Sequence, residues 1–287
     1  MGPAKALATS LPLLLLVACS GAQPSSSPTP TGMQGEAPAT LAHVHGLGVD
    51  PADGTLYAAS HFGVFKLVAG RDPERVGERA QDTMGFAVVG PNHFLGSGHP
   101  DRREASSPPH LGLIESTDAG ETWRTLSLEG AADFHALQTK HSRVYGYNSQ
   151  NGQLMVSEDL QNWDIRARVP IVDFAVSPDS PDVLLATTEQ GVVRSTDGGR
   201  TFSSVAGSPR LLLLDWPAAG TVTGVAPDGT VQVSRDSAAT WTAGGRVTGS
   251  PGALATNGEA EVFVATESAI HASTDGGKTF TVRQPLR

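Results

Sequence analysis

Cysteine is nearly absent from this chain of 287 residues: there is one, Cys19. A single Cys excludes a disulfide within the chain, and a free thiol in an exported protein would be a liability. Basic runs are missing as well. With a formal charge of -9 and no Lys/Arg-rich segment, the chain has no electrostatic footprint for nucleic acid and no reason of charge to lie on an anionic membrane. Helix signals are almost wanting. The one long apolar run, "LPLLLLVA" from Leu11 to Ala18, is too short to span a bilayer as a stable helix.

That run follows a short start with one Lys, Lys5, and ends in small residues, the pattern of a secretion signal over residues 1–18. Leu16, Val17, Ala18 and Cys19 resemble the bacterial lipobox, which implies cleavage before Cys19 and lipidation of that residue. The implied protein is exported and held to the cell membrane by its N-terminal lipid, facing away from the cytoplasm. Residues 19–40, rich in Ser, Pro, Thr and Gly, cannot bury enough apolar surface to order themselves and read as a spacer. From residue 41 to 287 there remain roughly 245 residues, enough for one large all-β domain or two small ones.

Within that stretch the text repeats. "STDAGETW" (Ser116 to Trp123), "STDGGRTF" (Ser195 to Phe202) and "STDGGKTF" (Ser273 to Phe280) are near copies, and "SEDLQNW" and "SRDSAATW" are degraded ones. Their aspartates, Asp118, Asp159, Asp197, Asp236 and Asp275, are spaced by 41, 38, 39 and 39 residues, the length of one propeller blade. Before each copy come an apolar run, a Pro/Asp/Gly turn, a second run such as "TLYAAS" or "VLLATT", and a short third such as "GVVRS". Four short strands every 40 residues or so describe an all-β propeller with blades beginning near His43, Asp82, Asp133, Val172, Leu211 and Pro251. Six four-stranded blades are expected, with seven as the alternative, and a monomer.

The octapeptide resembles the Asp-box, or BNR repeat, of sialidases, sortilin-like receptors and photosystem assembly factors. As a hairpin between third and fourth strands its residues have structural work. Ser116, Ser195 and Ser273 with Asp118, Asp197 and Asp275 accept turn amides, Gly120, Gly199 and Gly277 supply positive φ, and Trp123, Phe202 and Phe280 pack between blades. Five near copies spaced around a ring cannot converge on one substrate, so the motif is architecture rather than catalysis.

A sialidase resemblance would imply three arginines, a Tyr activated by a Glu, and an acidic Asp beside the channel. The inner runs "HVHGLGV", "TMGFAVV", "FHALQT", "DFAVS" and "GALAT" contain no Arg, only Arg210 precedes "LLLLD", and no Arg-Ile-Pro signature occurs. The three tyrosines, Tyr57, Tyr145 and Tyr147, fall on second strands. Sialidase chemistry is therefore not expected. A glycosidase of another kind, acting on an extracellular glycan, needs two facing carboxylates, and Asp82, Asp133, Asp173 and Asp215 are available, with Asp82 and Asp133 the weak catalytic candidates.

Histidines are more telling. Strand order puts the start of each first strand and the loop between second and third strands on one face of the ring, called the top here, and the repeated turns on the other. Of nine histidines, His43, His45, His61, His99 and His135 sort to the top of blades one to three. His93 and His141 sort to the bottom, and His271 falls inside a third strand. "VHGL", "TMGF" and "FHAL" superpose, which makes His45, Met84 and His135 equivalent, and Asp82 and Asp133 lie two residues before Met84 and His135. With Asp101 these groups form a candidate ligand or metal site, Met with His favouring copper and His with Asp favouring zinc. His43 and His45, two apart, are expected to point the same way along a strand. The segment His99 to His110, "HPDRREASSPPH", is long for its position and a candidate lid. The competing structural readings are hydrogen-bonded turn histidines and a core-filling Met84.

Taken as a whole the chain resembles bacterial Asp-box lipoproteins, often labelled glycosyl hydrolases, that share "HVHGLGVDP" and "GFAVVGPNHFLGSGHPD". The resemblance implies fold and compartment, and carries no assigned catalytic residue. The expected role is binding or scaffolding at the cell surface, through a protein or glycan partner.

Overall fold

The computed structural model describes residues 2, 40–104 and 106–286 of the chain. The apolar run before Cys19, Cys19 itself and the Ser/Pro-rich stretch up to residue 39 lie outside the described residues.

The alternating apolar runs become strands because each must bury one face while its Pro/Asp/Gly neighbours turn the chain. They assemble into six four-stranded antiparallel sheets, each made of four consecutive strands, so there are six blades and not seven. The inner strands are Val44–Val49, Asp82–Gly90, Phe134–Lys140, Phe174–Val176, Leu213–Ala218 and Pro251–Asn257. No helix occurs among the described residues.

Each pair of neighbouring blades encloses its own apolar core. Tyr57 and Val64 of blade one meet Phe86 and Phe94 of blade two, and Leu95 and Leu113 meet Phe134 and Leu137 across the next boundary. Close approach there depends on glycine: a Cβ on Gly46 would stand 2.7 Å from that of Phe86, and one on Gly85 would stand 2.4 Å from the Phe134 carbonyl oxygen. Among the described residues no strand is exchanged to close the ring. Blade six packs directly on blade one, with Phe263, Ala265 and Ile270 against Leu47, Leu56 and Phe65, and Arg283 donates to the Leu67 carbonyl.

The repeated turns share one hydrogen-bond pattern. Ser195, ending its strand, accepts the Gly199 N–H at 2.8 Å and donates to Asp197 Oδ1 at 2.8 Å. Asp197 accepts the Thr201 N–H at 2.9 Å and the Thr201 hydroxyl at 2.6 Å. Ser116 with Asp118 and Thr122, Ser234 with Asp236 and Thr240, and Ser273 with Asp275 and Thr279 repeat it. The Thr before the aromatic is thus a working member of the motif, a role not assigned from sequence. Glycine serves a left-handed turn position (φ 86° at Gly199), though Ala238 adopts the same region at φ 71°. Trp123, Trp163, Phe202, Trp241 and Phe280 each pack on the core between their own blade and the one before. Aspartates that accept this many hydrogen bonds are held below the ordinary carboxylate range, Asp197 chiefly by the Thr201 hydroxyl.

Candidate metal centre

The inner strands of blades one to three share an irregularity that decides where their side chains point. In blade one Val44 pairs with Ser60 and Gly46 with Ala59, so His45 is the extra residue of a β-bulge. In blade two the register skips between Thr83 and Gly85, leaving Met84 in the same place, and in blade three it skips between Phe134 and Ala136, leaving His135. Each of the three residues that superpose in sequence is therefore a bulged one. A bulge bends its strand and re-aims the extra side chain. Here all three line one cavity of about 490 Å³ along the ring's axis.

His45 meets two groups from the top edge. Its Nε2 lies 3.3 Å from His61 Nδ1 and 3.7 Å from Asp82 Oδ1, and His61 Nδ1 lies 2.9 Å from Asp82 Oδ2. His61 comes from the turn after Leu56–Ser60, and Asp82 opens the inner strand of blade two. Burial, then the positive field of His61, push the His45 imidazole down to about 4 against the opposing pull of Asp82. At neutral pH His45 is uncharged, with a lone pair to offer.

A second group repeats the composition one blade on. His135 Nε2 lies 2.9 Å and His99 Nε2 3.6 Å from Asp133 Oδ2. Asp133 is 1% exposed and also accepts Ser149 Oγ at 3.1 Å and Gln150 Nε2 at 3.2 Å. Burial alone would raise its carboxyl, but the hydrogen bond from His135 and the positive fields of His135 and His99 prevail and hold it at about 2. His99 Nδ1 sits 2.9 Å from the Pro109 carbonyl, which can only accept, so Nδ1 carries a proton and Nε2 faces the carboxylate.

Two His-His-Asp triads result, each with its ligand atoms within 4.8 Å of one another. In both, one carboxylate oxygen, Oδ1 of Asp82 and Oδ1 of Asp133, is buried without a hydrogen-bond partner among the described residues. An unsatisfied buried carboxylate oxygen costs free energy, and imidazole nitrogens beside it are donors that first-row metals accept. Asp82 and Asp133, candidates for glycosidase chemistry from sequence, are the carboxylates of these triads.

The remaining candidates are dispersed. Asp101 is turned away from the triads: it accepts the Ala80 N–H at 2.8 Å and Arg103 Nε at 3.1 Å, and the Arg103 side chain first of all holds its carboxyl well below the usual range. His43 precedes the first strand in a left-handed conformation, φ 51°, so the alternation expected for it and His45 does not apply; its ring is 5.3 Å from that of His61. Met84 lines the axial cavity on the blade between those of His45 and His135. The segment after His99 is a braced strap rather than a free lid. Arg79 pairs with Glu104 at 2.9 Å, Arg103 donates to the Glu78 carbonyl at 2.6 Å, and Leu111 N–H returns to the Gly98 carbonyl at 2.8 Å.

Ser149, Gln150, His110 and the Pro109 carbonyl went unrecognised in the sequence. His110 closes the strap with its ring 5.4 Å from that of His99, and its Nδ1 is buried without a partner among the described residues. Position was the available signal: Ser149 and Gln150 follow the second strand of blade three, at the top like His61.

Further round the ring Asp173 and Asp215 line the same cavity but are tied to backbone. Asp173 accepts Phe174 N–H and, from blade five, Leu214 N–H, both at 2.8 Å; Asp215 accepts Trp216 N–H at 2.8 Å and, from blade six, Thr256 N–H at 2.9 Å and Thr256 Oγ1 at 2.7 Å.

No family model and no curated protein matches the chain. Solved structures do. A GH74 enzyme of Niastella koreensis aligns over 85% of this chain at a TM-score of 0.58 and 16% identity; the chain covers only 46% of that enzyme. YCF48 bound to a D1 peptide aligns over 85% of the chain and 82% of its own length, at 0.53 and 16%. A chain of a nidogen/laminin complex aligns over 79% and 91%, at 0.61 and 11%. At these identities the likeness is one of fold, the β-propeller.

Proposed function

We propose that this protein is a lipid-anchored, exported propeller that binds a divalent transition metal at the top of blades one to three and uses that site to engage its ligand or partner. One observation carries the proposal: two His-His-Asp triads stand at the same end of adjoining blades, each with a buried carboxylate oxygen lacking a hydrogen-bond partner among the described residues. The donors of each triad are imidazole nitrogens and a carboxylate oxygen, a set that suits zinc or Cu(II). Three protein ligands leave coordination positions open, as sites that act on or bind something further require. The lipid anchor rests on the lipobox-like Leu16 to Cys19.

The competing role is a glycoside hydrolase, in keeping with the fold of the GH74 enzyme. Such an enzyme needs a carboxylic acid that keeps its proton near neutral pH. Asp133, held at about 2, is ionised there, and His61 bonds Asp82. Asp173, pushed up to about 7 by burial, could keep its proton, but its two oxygens are taken by the Phe174 and Leu214 N–H groups. A scaffold for peptides, in the manner of YCF48 with its D1 peptide, remains compatible with a metal at the mouth.

Elemental analysis of the full-length protein purified in detergent, against the His45→Ala/His135→Ala variant, is the test. A stoichiometric metal lost in the folded variant supports the reading. Wild-type protein that takes up neither Zn²⁺ nor Cu²⁺ after soaking and desalting refutes it and returns these histidines to a structural role.

A further inference from the structure

We infer that the two triads are the halves of one dinuclear centre, joined through blade two, and that the half between blades two and three fills first. The inference rests on the metal-binding reading above and adds to it the number of ions, their proximity and their order.

Proximity comes from the register. Blade two supplies one ligand to each half, Asp82 to the first and His99 to the second, and these two residues are direct partners across its inner pair of strands. Residues opposed in this way have Cβ atoms roughly 4.5–5.5 Å apart. The halves therefore share a wall, and His45 and His135, one from each half, line the same cavity with Met84 between them. The six donors fall into two sets, each closed on itself within 4.8 Å, one set for each ion.

Order comes from support around the ligands. In the second half Asp133 is 1% exposed and oriented by Ser149 and Gln150, and the Pro109 carbonyl fixes the tautomer and direction of His99. In the first half the side chains of His45, His61 and Asp82 are 20%, 38% and 25% exposed, and among the described residues no hydrogen bond from outside the triad orients them. His99 and His135 are as open, at 38% and 39%, so the hydrogen bonds around Asp133 and His99, not burial of the imidazoles, separate the halves. Outer partners of metal ligands are worth about 10–100-fold in affinity. The supported half should bind tighter by at least about tenfold.

The experiment is a Zn²⁺ titration of the full-length protein in detergent, followed by calorimetry and elemental analysis, with a parallel Cu²⁺ loading read by electron paramagnetic resonance. Two equivalents in two resolved steps are expected, with a half-field signal from the coupled Cu²⁺ pair. His61→Ala should remove the weak step alone, and His135→Ala the tight step alone, each abolishing the half-field signal. Ser149→Ala and Gln150→Ala, which alter no ligand, should weaken only the tight step, by about tenfold; they keep the test valid should a ligand variant misfold. One equivalent lost in both ligand variants would mean a single shared ion and overturn the dinuclear centre while leaving metal binding intact. Two equal steps without a half-field signal would overturn it too. Uptake of no metal would bring down this inference and the metal-binding reading together.

Discussion

Blades three and four begin with the same two residues and put them to different use. Asp133-Phe134 and Asp173-Phe174 both open an inner strand, and both phenylalanines are wholly buried in the core between blades. The next residue differs, His135 in one and Ala175 in the other. Where the His is present, the carboxylate turns to imidazoles and leaves an oxygen without a hydrogen-bond partner among the described residues. Where it is absent, both oxygens accept backbone N–H groups, one of them in the next blade. Blade five repeats the second solution, with Asp215 reaching Thr256 of blade six. Blades four and five use their inner aspartates as clasps between blades, whereas those of blades two and three face imidazoles. A carboxylate with all its oxygens satisfied stabilises the ring, whereas one left short of partners is available to a ligand.

The comparison can be broken first at what the two blades share. Phe174→Ala should destabilise the domain by about 3–5 kcal/mol, the usual cost of deleting a buried aromatic, and Phe134→Ala by as much, measured by denaturant unfolding. Equal losses would show that the blades differ only at their polar groups. The clasp comes next. Asp215→Ala leaves the N–H groups of Trp216 and Thr256 without their acceptor and should cost about 2–3 kcal/mol without altering metal uptake. Asp133→Ala should do the reverse, abolishing uptake at the second triad with a smaller change in stability. If Asp215→Ala abolishes uptake as well, the division between these blades is wrong.

The repeated turns sharpen the contrast from the bottom face, where no metal is expected. Ser195→Ala deprives the Gly199 N–H of its acceptor and should cost about 1 kcal/mol in thermal stability, with uptake unchanged. The smallest effect is in acid. Asp236 has its carboxyl lowered to about 2, chiefly by the Thr240 hydroxyl. Its folded value lies below its unfolded value, so its contribution is complete above about pH 4 and is lost as pH falls through 2. Asp236→Asn should flatten the dependence of melting temperature on pH within that window and leave the slope above pH 5 unaltered.

Much of the fold was legible because its signals are local. The 38 to 41-residue spacing of the five aspartates set the period, and a Ser-x-Asp-x-Gly turn with a following aromatic needs only its own side chains and the two cores it borders. Sorting histidines to one face needed nothing beyond antiparallel order. Closure was not legible: a ring without strand exchange is held by shape, Phe263 and Ile270 against Leu56 and Phe65 some 200 residues earlier. The division into two triads was hidden as well. His43 and Asp101 look equivalent to the triad residues in the sequence, yet a left-handed backbone sets one apart and Arg103 captures the other.

By itself, then, the sequence determined the period, the turn chemistry and the end of the ring where His45, Met84 and His135 gather, since each follows from side chains within one blade, while the structure settled six blades against seven. Tertiary structure alone decided which carboxylate meets which imidazole. That choice depends on three register breaks and on the packing of neighbouring blades. An extra residue in a strand turns a side chain toward the axis or away from it, and the superposition of His45, Met84 and His135 marks them as equivalent without marking them as extra.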